Sequence, residues 1–155
     1  RNVISIMLNR NLQGLPSVIY GDGEQTRCFS YIDDCVSCLV KMGVDEDITS
    51  QIINIGPDEE VITINKLAGM CANETGLNEP PIYYKSGRPQ EVTHASCSSD
   101  KARKILQYET KTSVAVAIKK TADHIRRNGV KKFDYHIPIE IVNDKTPKTW
   151  TEKTI

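Results

Sequence analysis

No charge of one sign dominates this 155-residue chain, in which 20 Lys and Arg stand against 20 Asp and Glu. That balance removes the basis for non-specific nucleic-acid binding, which needs a basic excess or stripe. It still allows a local pair of arginines aimed at one phosphate group. Apolar runs are only a few residues long, too short to span a bilayer, so no membrane partner is expected. The cysteines are few, scattered and odd in number (Cys28, Cys35, Cys38, Cys71 and Cys97). With no signal peptide ahead of them, they predict reduced thiols and a cytoplasmic protein. His94, His124 and His136 stand at no ligand spacing, so no metal site is expected. Internal repeats and low-complexity tracts are lacking too.

What is present is a chain long enough for one domain with a real core. It begins with Arg1 on a helical pattern, which predicts a piece of a longer chain. Val3, Ile4, Met7, Leu8 and Leu12 repeat at helical spacing, with Gly14 as the stop. Ser17 to Tyr20 reads as extended, Gly21-Asp22-Gly23 as a loop, and Arg27 to Ile32 as a second strand of a hairpin-like unit. Asp33 or Asp34 can cap the next helix, which runs to about Met42. Its Cys35-Val-Ser-Cys38 lies among Val36, Leu39 and Val40, so both thiols read as small core residues.

Gln51 to Ile55 reads as a short strand, and Thr63 caps a helix with Ile64, Leu67, Ala68, Cys71 and Ala72 inward. Pro80-Pro81 excludes helix, Ile82 to Tyr84 is extended, and a further strand falls around Val92. Ser98 to Asp100 offers caps for a short helix. Ser113 caps a long one that buries Val114, Ala117, Ile118, Ala122 and Ile125 and ends at Gly129. Beyond Val130 the helical pattern is lost. Ile137, Ile139, Ile141 and Trp150 then suggest a tail, 130–155, that packs along a surface. The fold class is α/β, with short strands and four or five amphipathic helices.

Two loops carry isolated arginines. Arg27 follows the glycine loop, and Arg88 lies between Gly87 and Pro89 with Lys85 nearby. The planar guanidinium fork suits phosphate, so two converging arginines would match a diphosphate, and Tyr20 could stack on a base. Histidines without a neighbouring nucleophile, and the charged pairs Lys119-Lys120 and Lys131-Lys132, read as solvated surface.

The segment Val18-Ile19-Tyr20-Gly21-Asp22-Gly23-Glu24-Gln25-Thr26-Arg27-Cys28-Phe29-Ser30-Tyr31-Ile32-Asp33-Asp34 resembles a signature of extended short-chain dehydrogenases acting on nucleotide sugars. That family includes NDP-sugar epimerases, 4,6-dehydratases and UDP-glucuronate decarboxylase. Asn54-Ile55-Gly56 with Ile62-Thr63-Ile64, the Arg88-Pro89-Gln90-Glu91 loop, and Ser99 to Leu106 resemble later stretches in the same order. Three positions depart from the pattern: Cys28 and Glu91 each stand where Asp is usual, and Gln107 where Gly is usual.

The resemblance implies the substrate-binding positions Tyr20, Gly21, Gln25, Arg27, Arg88 and Glu91. The two arginines would hold the diphosphate, Tyr20 and the glycine loop would face the base or ribose, and Glu91 the ribose. The sequence has no G-x-x-G-x-x-G to receive NAD and no Tyr-x-x-x-Lys to move a proton. It therefore reads as the C-terminal, substrate-binding lobe (1–129) of a Rossmann-type enzyme, with no catalytic residue of its own and inactive alone. The NAD-binding N-terminal half would be its partner, in an enzyme that is a homodimer when whole and takes a nucleotide sugar, a UDP-sugar first. The alternative is a non-catalytic interaction module that keeps the lobe's fold.

Overall fold

The computed structural model describes residues 3–84, 91–131, 142–146 and 151. Helix α1 spans Val3–Asn11 and ends as the sequence predicts, with Gly14 left-handed and Leu15 N donating to the Arg10 carbonyl at 3.0 Å. Strand β1 (Val18–Tyr20) and strand β2 (Thr26–Arg27) follow, then helix α2 (Ile32–Val44). Strand β3 (Ile62–Thr63) leads directly into helix α3 (Ile64–Thr75), whose N-cap Thr63 accepts from Lys66 N at 3.1 Å. Strand β4 is Ile82–Tyr84 and β5 is His94–Ala95; helices α4 (Asp100–Leu106) and α5 (Val114–Asn128) complete the described order.

The main core lies between α1, α3 and α5 and is closed by β1. It contains Met7, Leu8, Ile19, Leu67, Cys71, Val114 and Ile118. A second cluster joins α2 to α4 through Cys38, Ala102, Leu106 and Tyr108, with Ile53 and Ile55 packed against it. Every inward position predicted for α5 is buried, because a long strict helical period leaves only one face to hide. Among the described residues, no helix is long and apolar enough to cross a membrane.

Four local expectations fail for physical reasons. First, β1 and β2 form no hairpin: β1 pairs with β4 in parallel, while β2 lies between β3 (antiparallel) and β5 (parallel). Second, Tyr31 rather than an aspartate is the N-cap of α2, and Asp34 turns away to another segment. Its carboxylate accepts from Lys111 N (3.1 Å), Thr112 N (2.9 Å) and Thr112 Oγ1 (3.0 Å), which satisfies two backbone donors that no local partner reaches. Third, 51–55 is in no strand ladder, and Ile52 is 90% exposed. Fourth, α2 buries Cys38 but not Val36, Leu39 or Val40; together with Ile32 and Val44 these form an exposed apolar stripe. Cys35 is only half-buried.

Helix α4 stops without a glycine because Gln107 itself takes the left-handed conformation (φ 58°, ψ 37°) and donates its amide to the Ala102 carbonyl. The C-terminal tail expected from 130 onward begins with Lys131 N donating to Asn9 Oδ1 at 3.0 Å, back on α1. The alternation at Ile137, Ile139 and Ile141, and Trp150, lie outside the described residues, as does His136.

Candidate functional site

The glycine loop is built by the start of α3. Gly21 and Gly23 both have positive φ (76° and 77°), which glycine adopts without a Cβ penalty. Gly23 needs its bare Cα for a second reason: a Cβ there would overlap the Asn65 carboxamide. Asn65 in turn threads the loop. Its amide N donates to the Gly23 carbonyl (3.0 Å), its Nδ2 to the Asp22 carbonyl (2.9 Å), and its Oδ1 accepts from the Tyr83 hydroxyl (3.1 Å). The Asp22 carboxylate closes a turn by accepting from Glu24 N at 3.0 Å.

Gln25 is half-buried and donates Nε2 to the Tyr20 carbonyl at 3.1 Å, while its own carbonyl accepts from Ile64 N. Tyr20 is buried, so the chain presents the backbone around it more than the ring. These bonds fix the path from β1 to β2, and the last residue of β2 is Arg27.

Arg27 is three-quarters buried. One guanidinium nitrogen donates to the Thr26 carbonyl at 2.7 Å, and Nη2 meets Glu91 Oε1 at 2.8 Å. The β2–β5 ladder places Arg27 beside Ala95, and Thr26 N donates to the Thr93 carbonyl. Tyr20, Gly21, Gln25, Arg27 and Glu91 are therefore gathered by one loop, one strand end and one ion pair. Arg88 lies outside the described residues; Glu91, three positions on in sequence, is the residue held at Arg27.

A second charged cluster flanks this site. The Arg103 guanidinium on α4 binds Asp58 and Glu59, and also Asp100 at 3.2 Å. Asp58 accepts in addition from Ser99 N, and these bonds, Arg103 foremost, hold its carboxyl down at about 2. Buried Ser99 donates its hydroxyl to the Gly56 carbonyl. The 56–60 turn is thus fastened to α4 behind β2. Burial first, and then the neighbouring Cys97, Asp58 and Glu59, push the Cys28 thiol up.

Sequence reasoning missed Asn65 and the Asp58–Arg103 cluster. An Asn in a first helical turn carries no distinguishing local signal, because its work depends on a loop 43 residues away. Arg103 stands in a stretch matched to the family and Asp58 between two such stretches, but nothing in their spacing tells that they meet.

Comparison with known proteins places this geometry in context. A family model described as GDP-mannose 4,6 dehydratase matches residues 1–121. A UDP-N-acetyl-alpha-D-glucosaminuronate decarboxylase of Bacillus cytotoxicus is 43% identical over 58 residues, 37% of this chain and 18% of that protein. An uncharacterized UDP-glucose epimerase of Bacillus subtilis, YtcB, is 26% identical over 108 residues, 70% of this chain and 34% of its own.

Among solved structures, UDP-glucose 4-epimerase of Thermotoga maritima with UDP-glucose superposes with a TM-score of 0.75 at 28% identity, covering 82% of this chain and 40% of the epimerase. UDP-glucuronic acid 4-epimerase of Bacillus cereus, in complex with UDP-glucuronic acid and NAD, gives 0.71 at 30% identity over 79% of this chain and 39% of that one. The chain thus spans about two fifths of these structures and less of the curated relatives. With the family model matched over most of its length and the α/β fold shared, the chain belongs to the extended short-chain dehydrogenase family of nucleotide-sugar epimerases and dehydratases.

Proposed function

We propose that this chain is the substrate-binding lobe of an NAD-dependent nucleotide-sugar epimerase, decarboxylase or dehydratase, and that it holds the diphosphate of a UDP-sugar. The observation that carries this reading is the meeting of Arg27 with Glu91 at 2.8 Å, which brings the residue that follows 85–90 in sequence to the Arg27 guanidinium. A guanidinium three-quarters out of water forms stronger phosphate bonds than a solvated one, and a second arginine from 85–90 would complete a bidentate clamp. Glu91 would take the ribose hydroxyls once phosphate displaces it from Arg27. Gly21 and Gln25 would shape the wall beside the base, and Tyr20 would support that wall from beneath. UDP-sugars come first because solved relatives hold UDP-glucose and UDP-glucuronic acid.

The residues present do not fit NAD. The glycine loop joins one strand to another rather than opening a helix, and the space at Gly23 is filled by Asn65 instead of being left for a pyrophosphate. In this reading the cofactor and the proton-transfer residues come from an N-terminal half. The apolar stripe of α2 (Ile32, Val36, Leu39, Val40 and Val44) and the unladdered 51–55 segment are the surfaces suited to receive it. Residues 1–129 then form the lobe and 130–155 a tail along its surface.

Calorimetric titration of the chain with UDP-glucose and UDP-glucuronate tests the reading. Binding of either that disappears in Arg27→Ala supports it. Absence of binding to both, in a chain shown by circular dichroism to be folded, overturns it in favour of an interaction module.

A further inference from the structure

Arg27 and the wall proposed for the base stand at opposite ends of one short loop. Strand β1 ends at Tyr20, β2 begins at Thr26, and residues 21–25 span the gap. Gly21 and Gly23 are both left-handed there, at φ 76° and 77°. Glycine has more backbone freedom to lose than any other residue, so such a loop keeps one shape only where outside groups fix it.

Those groups meet at one side chain. Asn65, half-buried in the first turn of α3, donates Nδ2 to the Asp22 carbonyl at 2.9 Å and to the Glu24 carboxylate. Its Oδ1 accepts from the Tyr83 hydroxyl at 3.1 Å. The three partners agree on which end of the carboxamide is oxygen, since two can only accept and the third supplies a hydroxyl proton. Tyr83 belongs to β4 and is held in register against β1 by its pairing with Ile19. Its ring is 49% exposed, so the hydroxyl contact is not a by-product of core packing. Loop, helix and β4 therefore converge on Asn65.

A ligand that touched Arg27 alone would be indifferent to this loop. A nucleoside diphosphate would not, because its nucleoside would meet Gly21 and Gln25 while its phosphates meet Arg27. The loop then sets the separation of its two points of attachment. A site held at the right separation beforehand avoids the ordering cost that a loose one incurs on binding.

We infer that Asn65 and Tyr83 are positioning residues for nucleoside diphosphate binding: the Tyr83 hydroxyl steadies the Asn65 carboxamide, which holds the glycine loop at the spacing the ligand needs. The inference rests on the substrate-binding reading of Arg27 and the loop.

The test uses the full chain and UDP as the probe. Tyr83→Phe deletes the hydroxyl and keeps the half-exposed ring, so the melting temperature should stay within about 2 °C of wild type. UDP affinity should fall about three- to tenfold, the worth of one hydrogen bond. Amide hydrogen exchange should quicken at 21–25 and stay unchanged in α3 and α5, and saturating UDP should erase that difference. In Asn65→Ala, where the hydroxyl has already lost its partner, adding Tyr83→Phe should weaken UDP no further.

Residues that served only the fold would lower the melting temperature and quicken exchange throughout, and that result overturns the inference. It is overturned equally by losses that add in the double variant, or by wild-type exchange at 21–25 in Tyr83→Phe. If wild type binds UDP and Tyr83→Phe binds it as tightly, the positioning role fails while the substrate reading stands. A folded wild-type chain with no affinity for UDP overturns the substrate reading itself, and this inference with it.

Discussion

Arg27 Nη2 and Glu91 Oε1 meet at 2.8 Å across 64 positions of sequence, with each side chain about one-quarter exposed. An ion pair that still reaches solvent contributes little to folding, about 1 kcal/mol or less. A phosphate held by the same guanidinium is worth more, about 1.5–3 kcal/mol for a charge-assisted bond. Arg27→Ala should therefore leave thermal stability nearly unchanged while weakening UDP-sugar binding about ten- to hundredfold. Calorimetry and melting on the same preparation separate the two effects. A variant that melts far lower without losing affinity would assign Arg27 to the scaffold instead.

Asp34 answers three donors of the 111–112 segment from inside α2. Removing a buried acceptor strands those donors, at about 1–3 kcal/mol each where water cannot replace it. Asp34→Ala should cost about 3 kcal/mol, or about 10 °C in melting temperature for a chain of this size. Asp34→Asn keeps one acceptor oxygen and should lose less. Equal melting of wild type and Asp34→Ala would show that solvent reaches those amides.

Much of the helical scaffold was legible in the sequence, because α3 and α5 each repeat apolar residues at one strict period between a capping hydroxyl and a glycine. The strands were harder. Whether Ile19 or Arg27 pairs with the next strand or with one 60 residues on is decided by tertiary geometry, and the partners of β1 and β2 lie at Ile82–Tyr84 and His94–Ala95. Asp34 was misjudged because a carboxylate in a first turn satisfies local rules just as well as distant ones. Ile52 and Val40 were expected to pack because they are apolar, yet what would cover them is not among the described residues. In the site, Arg27 and Glu91 were legible through the family resemblance, whereas Asn65 acts only once the start of α3 reaches Gly23.

Two of the left-handed glycines, Gly14 and Gly23, differ in a way that substitution can read. At Gly14 (φ 74°) an added Cβ would meet no other atom, so Gly14→Ala should cost only the backbone penalty, about 1–2 kcal/mol. At Gly23 (φ 77°) the same penalty is joined by overlap with Asn65, which is held by its own hydrogen bonds. Gly23→Ala should be the more destabilising of the two, and adding Asn65→Ala should not restore wild-type stability. Equal losses at both positions would mean that Asn65 moves aside freely.

Gln107 occupies a left-handed C-cap with φ 58°. A side chain there carries a backbone penalty that glycine avoids, about 1 kcal/mol. The Gln107 side chain is exposed, so little packing is lost with it. Gln107→Gly should raise the melting temperature by about 2–4 °C, whereas Gln107→Val should lower it. A drop on mutation to glycine would require a contact made by the glutamine side chain.

The Asp58–Arg103 cluster makes stability depend on acid in a defined window. Hydrogen bonding to Arg103, and to Ser99 N, lowers the Asp58 carboxyl from 3.8 to about 2 in the folded chain. A depressed carboxyl stabilises the fold above its ordinary value, because the unfolded chain then binds the proton more readily than the folded one. That contribution fades as pH falls from about 4 to about 2 and is absent below both values. Glu59, lowered by its own backbone amide and by Arg103, acts with the same sign. The Arg103 guanidinium is raised and stays charged throughout, so it adds no slope in this range. Other carboxylates titrate here too, which makes the difference between wild type and Asp58→Asn the quantity to read. Urea unfolding at a series of pH values should show the variant less stable at neutral pH, with the gap narrowing between about pH 4 and pH 2. Arg103→Ala should flatten the wild-type profile over the same range. A gap that stays constant down to pH 2 would mean that Asp58 gains nothing from its partners, and the fastening of the 56–60 turn to α4 would then rest on the Glu59–Arg103 pair and the Ser99 hydroxyl.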